Sequence, residues 1–153
     1  MKAIVIYDTK FGNTEKIAKA LVSGIEEHGI ETDCIKVEDV EIDRLAEYEL
    51  LILGGPRHNR KASKPMEKFL GTLESVDIRG KRAFAFDTKR ERRFAGSAAK
   101  NIEKRLKSLG LSIIRPYSSA IVKGREGPLE EGMEEMFKQI AVEITRVVYS
   151  NSD

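Results

Sequence analysis

Unbroken apolar runs alternate along this chain with stretches whose apolar residues return at three- and four-residue steps. The first run, Ala3 to Tyr7, stops at a short loop, Thr9 to Thr14, that carries hydroxyls, an amide and a glycine. Beyond it Ile17, Ala18, Leu21, Val22 and Ile25 fall at helical spacing. The same reading predicts strands near 2–8, 31–36, 49–55, 82–87 and 111–121, the last interrupted around Pro116. Helices are expected near 13–28, 65–73, 95–109 and 128–148. Gly29, Gly80 and Gly110 stand where helices or loops hand over to strands. Leu50 to Gly54 is continuously apolar, as when both faces of a sheet are covered. The alternation predicts an α/β fold with a parallel sheet, and the lack of repeats or linkers predicts one domain over 1–153.

A strand, a short loop and a helix aim free backbone N–H groups and the positive end of a helix at one point, where a phosphate monoester fits. In open parallel sheets ligands bind at the carboxyl ends of the strands, beside the point where strand order reverses. Two further loops belong to that edge, 55–63 and 88–96. The first opens with Gly54-Gly-Pro56, where missing side chains let backbone approach a flat ligand. The second opens with Asp87-Thr88 and closes at Gly96-Ser97, a suitable helix start.

Composition narrows the picture. The chain has 153 residues, 41% of them hydrophobic, and no apolar run approaches the ~20 residues of a membrane span. A single cysteine, Cys34, excludes an internal disulfide and fits a reducing, cytoplasmic setting. Two separated histidines and one cysteine predict no metal site, and neither a nucleic-acid partner nor a signal peptide is expected. The net charge of +2 conceals an asymmetry: residues 1–50 hold 6 basic against 12 acidic side chains, and residues 57–93 hold 12 against 5. The basic part includes Arg57-His-Asn-Arg-Lys61 and Lys89-Arg-Glu-Arg-Arg93, both flanking the expected ligand edge.

With Val5-Ile6-Tyr7, Thr9, Gly12, Thr14, Ala18 and Leu21 at this spacing, the chain resembles the flavodoxin family at its FMN-phosphate signature, and element order agrees over nearly the whole length. Tyr7-Asp-Thr and Asn13-Thr-Glu-Lys16 resemble the flavodoxin modules of flavodiiron proteins. Phe86-Asp-Thr88, Gly96-Ser-Ala-Ala99 and Gly124-Arg-Glu-Gly-Pro-Leu129 resemble small archaeal and bacterial flavodoxin-like proteins. The resemblance implies a three-layer αβα sandwich around a five-stranded parallel sheet of order 2-1-3-4-5, an order that is a standard example of the open-sheet rule.

The resemblance also implies a ligand set. Thr9, Asn13 and Thr14 would give side-chain contacts to the FMN phosphate, and Lys10, Phe11 and Gly12 backbone N–H groups. Lys10 departs from the family's usual uncharged loop. At the flavin end the set comprises Gly55, Pro56, Arg57, His58 and Asn59 from the second loop, with Asp87, Thr88 and Phe94 from the third. His58 reads either as a group facing the flavin or as an exposed loop residue. Arg90, Arg92 and Arg93 read either as contacts to a phosphorylated partner or as a solvated loop.

The implied function is an FMN-binding carrier of electrons between redox partners, one of them with an acidic docking surface. A first alternative on the same fold is an FMN-dependent NAD(P)H or quinone reductase, or a protoporphyrinogen-oxidising enzyme. A second is a binding module with weak or lost FMN. A phosphorylated receiver domain is set aside because Gly54 and Gly55 stand where its acceptor aspartate would end the third strand. Cys34 is expected to be a buried inert thiol, His28 a helix-end group, Met133 and Met136 core, and Glu130, Glu131, Glu134 and Glu135 a solvated helix face.

Overall fold

The computed structural model describes residues 1–58, 61–91 and 96–150. Its strands are β1 (Lys2–Tyr7), β2 (Glu31–Lys36), β3 (Leu50–Pro56), β4 (Arg82–Arg90), β5 (Ser112–Ile113) and β6 (Ser118–Val122). Its α-helices are α1 (Asn13–Glu26), α2 (Lys64–Thr72), α3 (Ala98–Ser108) and α4 (Met133–Ser150). All strand pairs are parallel in the order β2-β1-β3-β4-β5, with β6 also on β4. β5 pairs with Arg82 and Ala83 and β6 with Phe86 to Arg90, so the two short strands share the fifth position of the sheet. The break falls where Pro116 has no N–H for the ladder, and the Tyr117 N–H donates instead to Glu103 Oε1 at 2.9 Å.

Alternate residues of the central strands feed two cores. Ile4, Ile6, Leu51, Leu53, Ala83 and Ala85 pack with Met66, Phe69 and Leu70 of α2 and Ile102 and Leu106 of α3. Val5, Tyr7, Leu50, Ile52, Phe84 and Phe86 pack with Ile17, Leu21 and Ile25 of α1 and Phe137, Ile140 and Ile144 of α4. Helices on both faces therefore cover the sheet, which explains why its central strands carry apolar residues at consecutive positions. Gly54 belongs to this packing. A Cβ there would stand 2.2 Å from the Phe86 ring, so the missing side chain makes room for a phenylalanine rather than for a flat ligand.

Element ends depart from the sequence reading for physical reasons. β4 runs on to Arg90 because β6 pairs with it through Lys89 and Arg90. α3 begins only at Ala98, where the Ser97 hydroxyl accepts from Lys100 N at 3.1 Å. α4 begins at Met133 because the preceding residues fold back on β6: Glu130 N donates to Ile121 O at 2.8 Å. Glu130 and Glu131 thus precede the helix. Met136 is exposed and Met133 half-buried, so only the latter touches the core. His28 Nδ1 lies 2.9 Å from Gly24 O, at the end of α1. Cys34 is half-buried, and burial pushes its thiol up to about 11, which leaves it protonated at neutral pH. Among the described residues no helix is long and apolar enough to cross a membrane.

Candidate functional site

At the carboxyl edge of β1, β3 and β4 lies a cleft of about 740 Å³, within the roughly 300–1,000 Å³ of small-molecule sites. The loop after β1 forms one wall. Thr9 Oγ1 accepts from Gly12 N at 2.9 Å, which closes the loop on itself. Gly12 then takes φ +89°, a conformation costly for any side chain, and turns the chain into α1. Among the described residues no side chain caps α1. Its first-turn N–H groups are left for an acceptor outside the helix, beside the positive end of its dipole.

Thr14, in the first turn of α1, reaches across to β4, where its Oγ1 lies 2.9 Å from Thr88 Oγ1. Whichever hydroxyl donates, the other keeps its proton for an acceptor in the cleft that both line. Asn13 lines the cleft as well, and its Nδ2 donates to Glu126 O at 3.2 Å. Lys10 lines the same wall with its ammonium 5.4 Å from the ring centre of the exposed Phe11.

The other walls are strongly basic. Lys10, Arg57, Lys64, Lys89, Arg90 and Arg125 line the cleft against one carboxylate, Asp8, among the described residues. Asp8 accepts from Ser63 Oγ, the residue that also caps α2 through Met66 N. Arg57 Nη1 is buried and has no hydrogen-bond partner among the described residues, an arrangement that calls for an anionic acceptor. Arg57 N donates to Thr88 O at 3.0 Å and so ties the second loop to β4. Exposed His58 sits at the rim, held through its backbone by Lys61 O and Lys61 N at 2.7 and 3.0 Å.

Thr9, Lys10, Phe11, Asn13, Thr14, Pro56, Arg57, His58 and Thr88 thus meet around one cleft, with Gly12 turning the loop that shapes it. Gly55 and Asp87 do not line it. Asp87 is fully buried and its Oδ2 accepts from Ser97 Oγ at 2.8 Å and Ala99 N at 3.0 Å, so it closes the N-terminus of α3 from within. Asn59, Arg92, Arg93 and Phe94 lie outside the described residues. Sequence reading passed over Asp8, Ser63, Lys64 and Arg125 as site residues. Of these only Arg125 carried a signal, its place between Gly124 and Gly127 in a turn-forming stretch.

An open helix N-terminus, a hydroxyl pair with a proton to spare and an unpaired guanidinium nitrogen form a donor set that fits a phosphate-bearing ligand. Residues 5–140 match the family model described as flavodoxin. The flavodoxin of Clostridium beijerinckii is 29% identical over 142 residues, which cover 90% of this chain and 97% of that protein. An uncharacterized protein of Methanocaldococcus jannaschii is 25% identical over 90% of this chain, which spans only 34% of that relative's length. Among solved structures, a flavodoxin from the domain Archaea superposes with a TM-score of 0.81 at 28% identity, covering 96% of this chain and 99% of its own.

Proposed function

The chain belongs to the flavodoxin family, whose members bind FMN and pass electrons to redox partners, and from that premise we propose that it holds FMN in this cleft and serves as an electron carrier. The uncapped N-terminus of α1, facing a cleft lined by Thr9, Thr14 and six cations, is the observation that carries the reading. Bound FMN supplies one- and two-electron redox chemistry, and the chain supplies its position and its electrostatic surroundings.

Thr9, Asn13 and Thr14 side chains, with the N–H groups of Lys10, Phe11 and Gly12, would hold the phosphate. Pro56, Arg57, His58 and Thr88 would hold the remainder of the cofactor. Gly55 and Asp87 support these walls from behind: Gly55 pairs with Asp87 between β3 and β4, and Asp87 fixes α3. The cationic walls favour whichever flavin state carries more negative charge, which raises the potential of the final one-electron step over that of a neutralised cleft. The same field steers a partner with an acidic docking surface toward the edge where Lys89 and Arg90 stand. A cytoplasmic location accords with the free thiol of Cys34.

Titration of the apo-protein with FMN is expected to quench flavin fluorescence to a saturable end point at micromolar protein. A signal that never departs from simple dilution would remove both the cofactor and the carrier role. Anaerobic NADPH alone is expected to leave the bound flavin oxidised, and rapid bleaching would move the reading to a reductase.

A further inference from the structure

The region after β6 plays no part in the family-implied ligand set, yet it reaches the cleft. Beyond Val122 the chain reverses in a closed hairpin: Lys123 N donates to Pro128 O at 2.8 Å, and Gly127 N to Gly124 O at 3.1 Å. Those bonds leave Arg125 and Glu126 as the two central residues of a tight turn. The tip is pinned to the start of α1, since Glu126 O accepts from Asn13 Nδ2 at 3.2 Å. Gly127 has φ +104°, and a Cβ there would stand 2.8 Å from the Asn13 amide, so a glycine is needed for the turn to dock. Arg125 consequently lines the same cleft as Thr9, Asn13 and Thr14, and its guanidinium has no partner among the described residues.

We infer that the turn Gly124–Gly127 is a fourth wall of the cleft and that Arg125 gives a charge-assisted contact to the ligand's phosphate. The inference rests on the FMN reading above. Backbone amides and hydroxyls alone recognise a phosphate through neutral donors. A guanidinium fork adds two parallel N–H bonds and a full positive charge. Selection of FMN over riboflavin then depends on the phosphate's charge and weakens as salt screens it. Asn13 has a double part, because its amide sets the height of the turn over α1 and thereby the reach of Arg125.

The test is a pair of fluorescence titrations, FMN and riboflavin, on the full chain and its Arg125→Gln and Arg125→Lys variants at low and high ionic strength. For Arg125→Gln, FMN affinity should fall about tenfold at low salt, the discount from a fully buried pair reflecting exposure of the side chain. Its salt dependence should become shallower, with five cations still lining the cleft, while riboflavin affinity stays level, and Arg125→Lys should recover part of the loss. Equal FMN affinity of wild type and Arg125→Gln at both salt concentrations would overturn the inference and leave the FMN reading intact. If neither flavin binds the wild type saturably, the FMN reading falls and the inference with it. Circular dichroism of the variants, with the substituted side chain at an exposed turn tip, separates lost contact from lost fold.

Discussion

Helices α1 and α3 both begin at the carboxyl edge of the sheet, α1 after β1 and α3 after β4, yet their N-termini are finished in opposite ways. At α3 the chain closes its own helix: Ser97 accepts from Lys100 N, and buried Asp87 accepts from Ser97 Oγ and Ala99 N. At α1 no side chain among the described residues takes the cap, Gly12 at φ +89° turns the backbone in, and the first-turn N–H groups face a basic cleft. The same helix-end electrostatics serves rigidity in one case and recognition in the other. At α3 an internal carboxylate takes the donor set for the fold, whereas at α1 the cleft's carboxylate, Asp8, is engaged by Ser63 and the helix donors are left to a ligand that carries its own negative charge.

Four variants test this division and its surroundings, the largest effect first. Asp87→Ala removes two charge-assisted bonds and, with them, the buried Oδ1 that has no partner among the described residues. A net loss of about 2 kcal/mol in urea unfolding is expected, with FMN affinity of the folded protein changed little. An unmoved midpoint would show that α3 does not depend on its internal cap. Thr14→Val should do the reverse. It keeps the shape, loses the Thr88 partner, costs under about 1 kcal/mol of stability and weakens FMN binding about tenfold. Equal losses in stability and affinity for both variants would erase the contrast between the two helix ends.

Lys89→Gln with Arg90→Gln probes the cationic rim rather than either helix end. Electron exchange with an acidic redox protein should slow by about threefold to tenfold at low salt and be unaffected near ~0.5 M salt. A loss of the same size at both concentrations would point to a direct contact in place of steering. The smallest effect is expected from a reference site away from this edge. The Tyr48 hydroxyl donates to Asp33 and holds that carboxyl below the ordinary carboxylate range, aided by Lys2. A depressed folded pKa adds stability above the ordinary carboxylate pKa and loses it as pH falls through the folded value. Tyr48→Phe should therefore unfold at lower urea than wild type at neutral pH and match it in strong acid, with FMN affinity the same in both. A gap that persists undiminished in acid would assign the Tyr48 contribution to packing instead.

Much of this molecule could be read along the chain. The buried strands, the start of α1 after Gly12 and the break at Pro116 all follow from local rules: residue spacing, a left-handed turn, a missing N–H. The Thr9–Thr14 loop was recognisable because its chemistry is contiguous. Asp87 was harder, since its neighbours Phe86 and Thr88 say nothing of Ser97 and Ala99, which face its carboxylate only after α3 has docked. Gly54 misled for a similar reason, because the ring that occupies its open space comes from the next strand. Lys89 and Arg90 read as loop because they are polar, and became strand because β6 offered them a ladder.

Hydrophobic periodicity and turn chemistry alone determined an α/β chain with a phosphate-type loop between its first strand and first helix. Those features depend on residues a few positions apart, whose relative placement the backbone itself limits. Tertiary structure alone decided which donors stay free. Thr14 meets Thr88, Ser63 meets Asp8, and Asn13 meets Glu126 across 74, 55 and 113 positions of chain. No local rule governs pairs so distant; sheet register and helix docking bring them together, and in doing so they close the α3 end and leave the α1 end open.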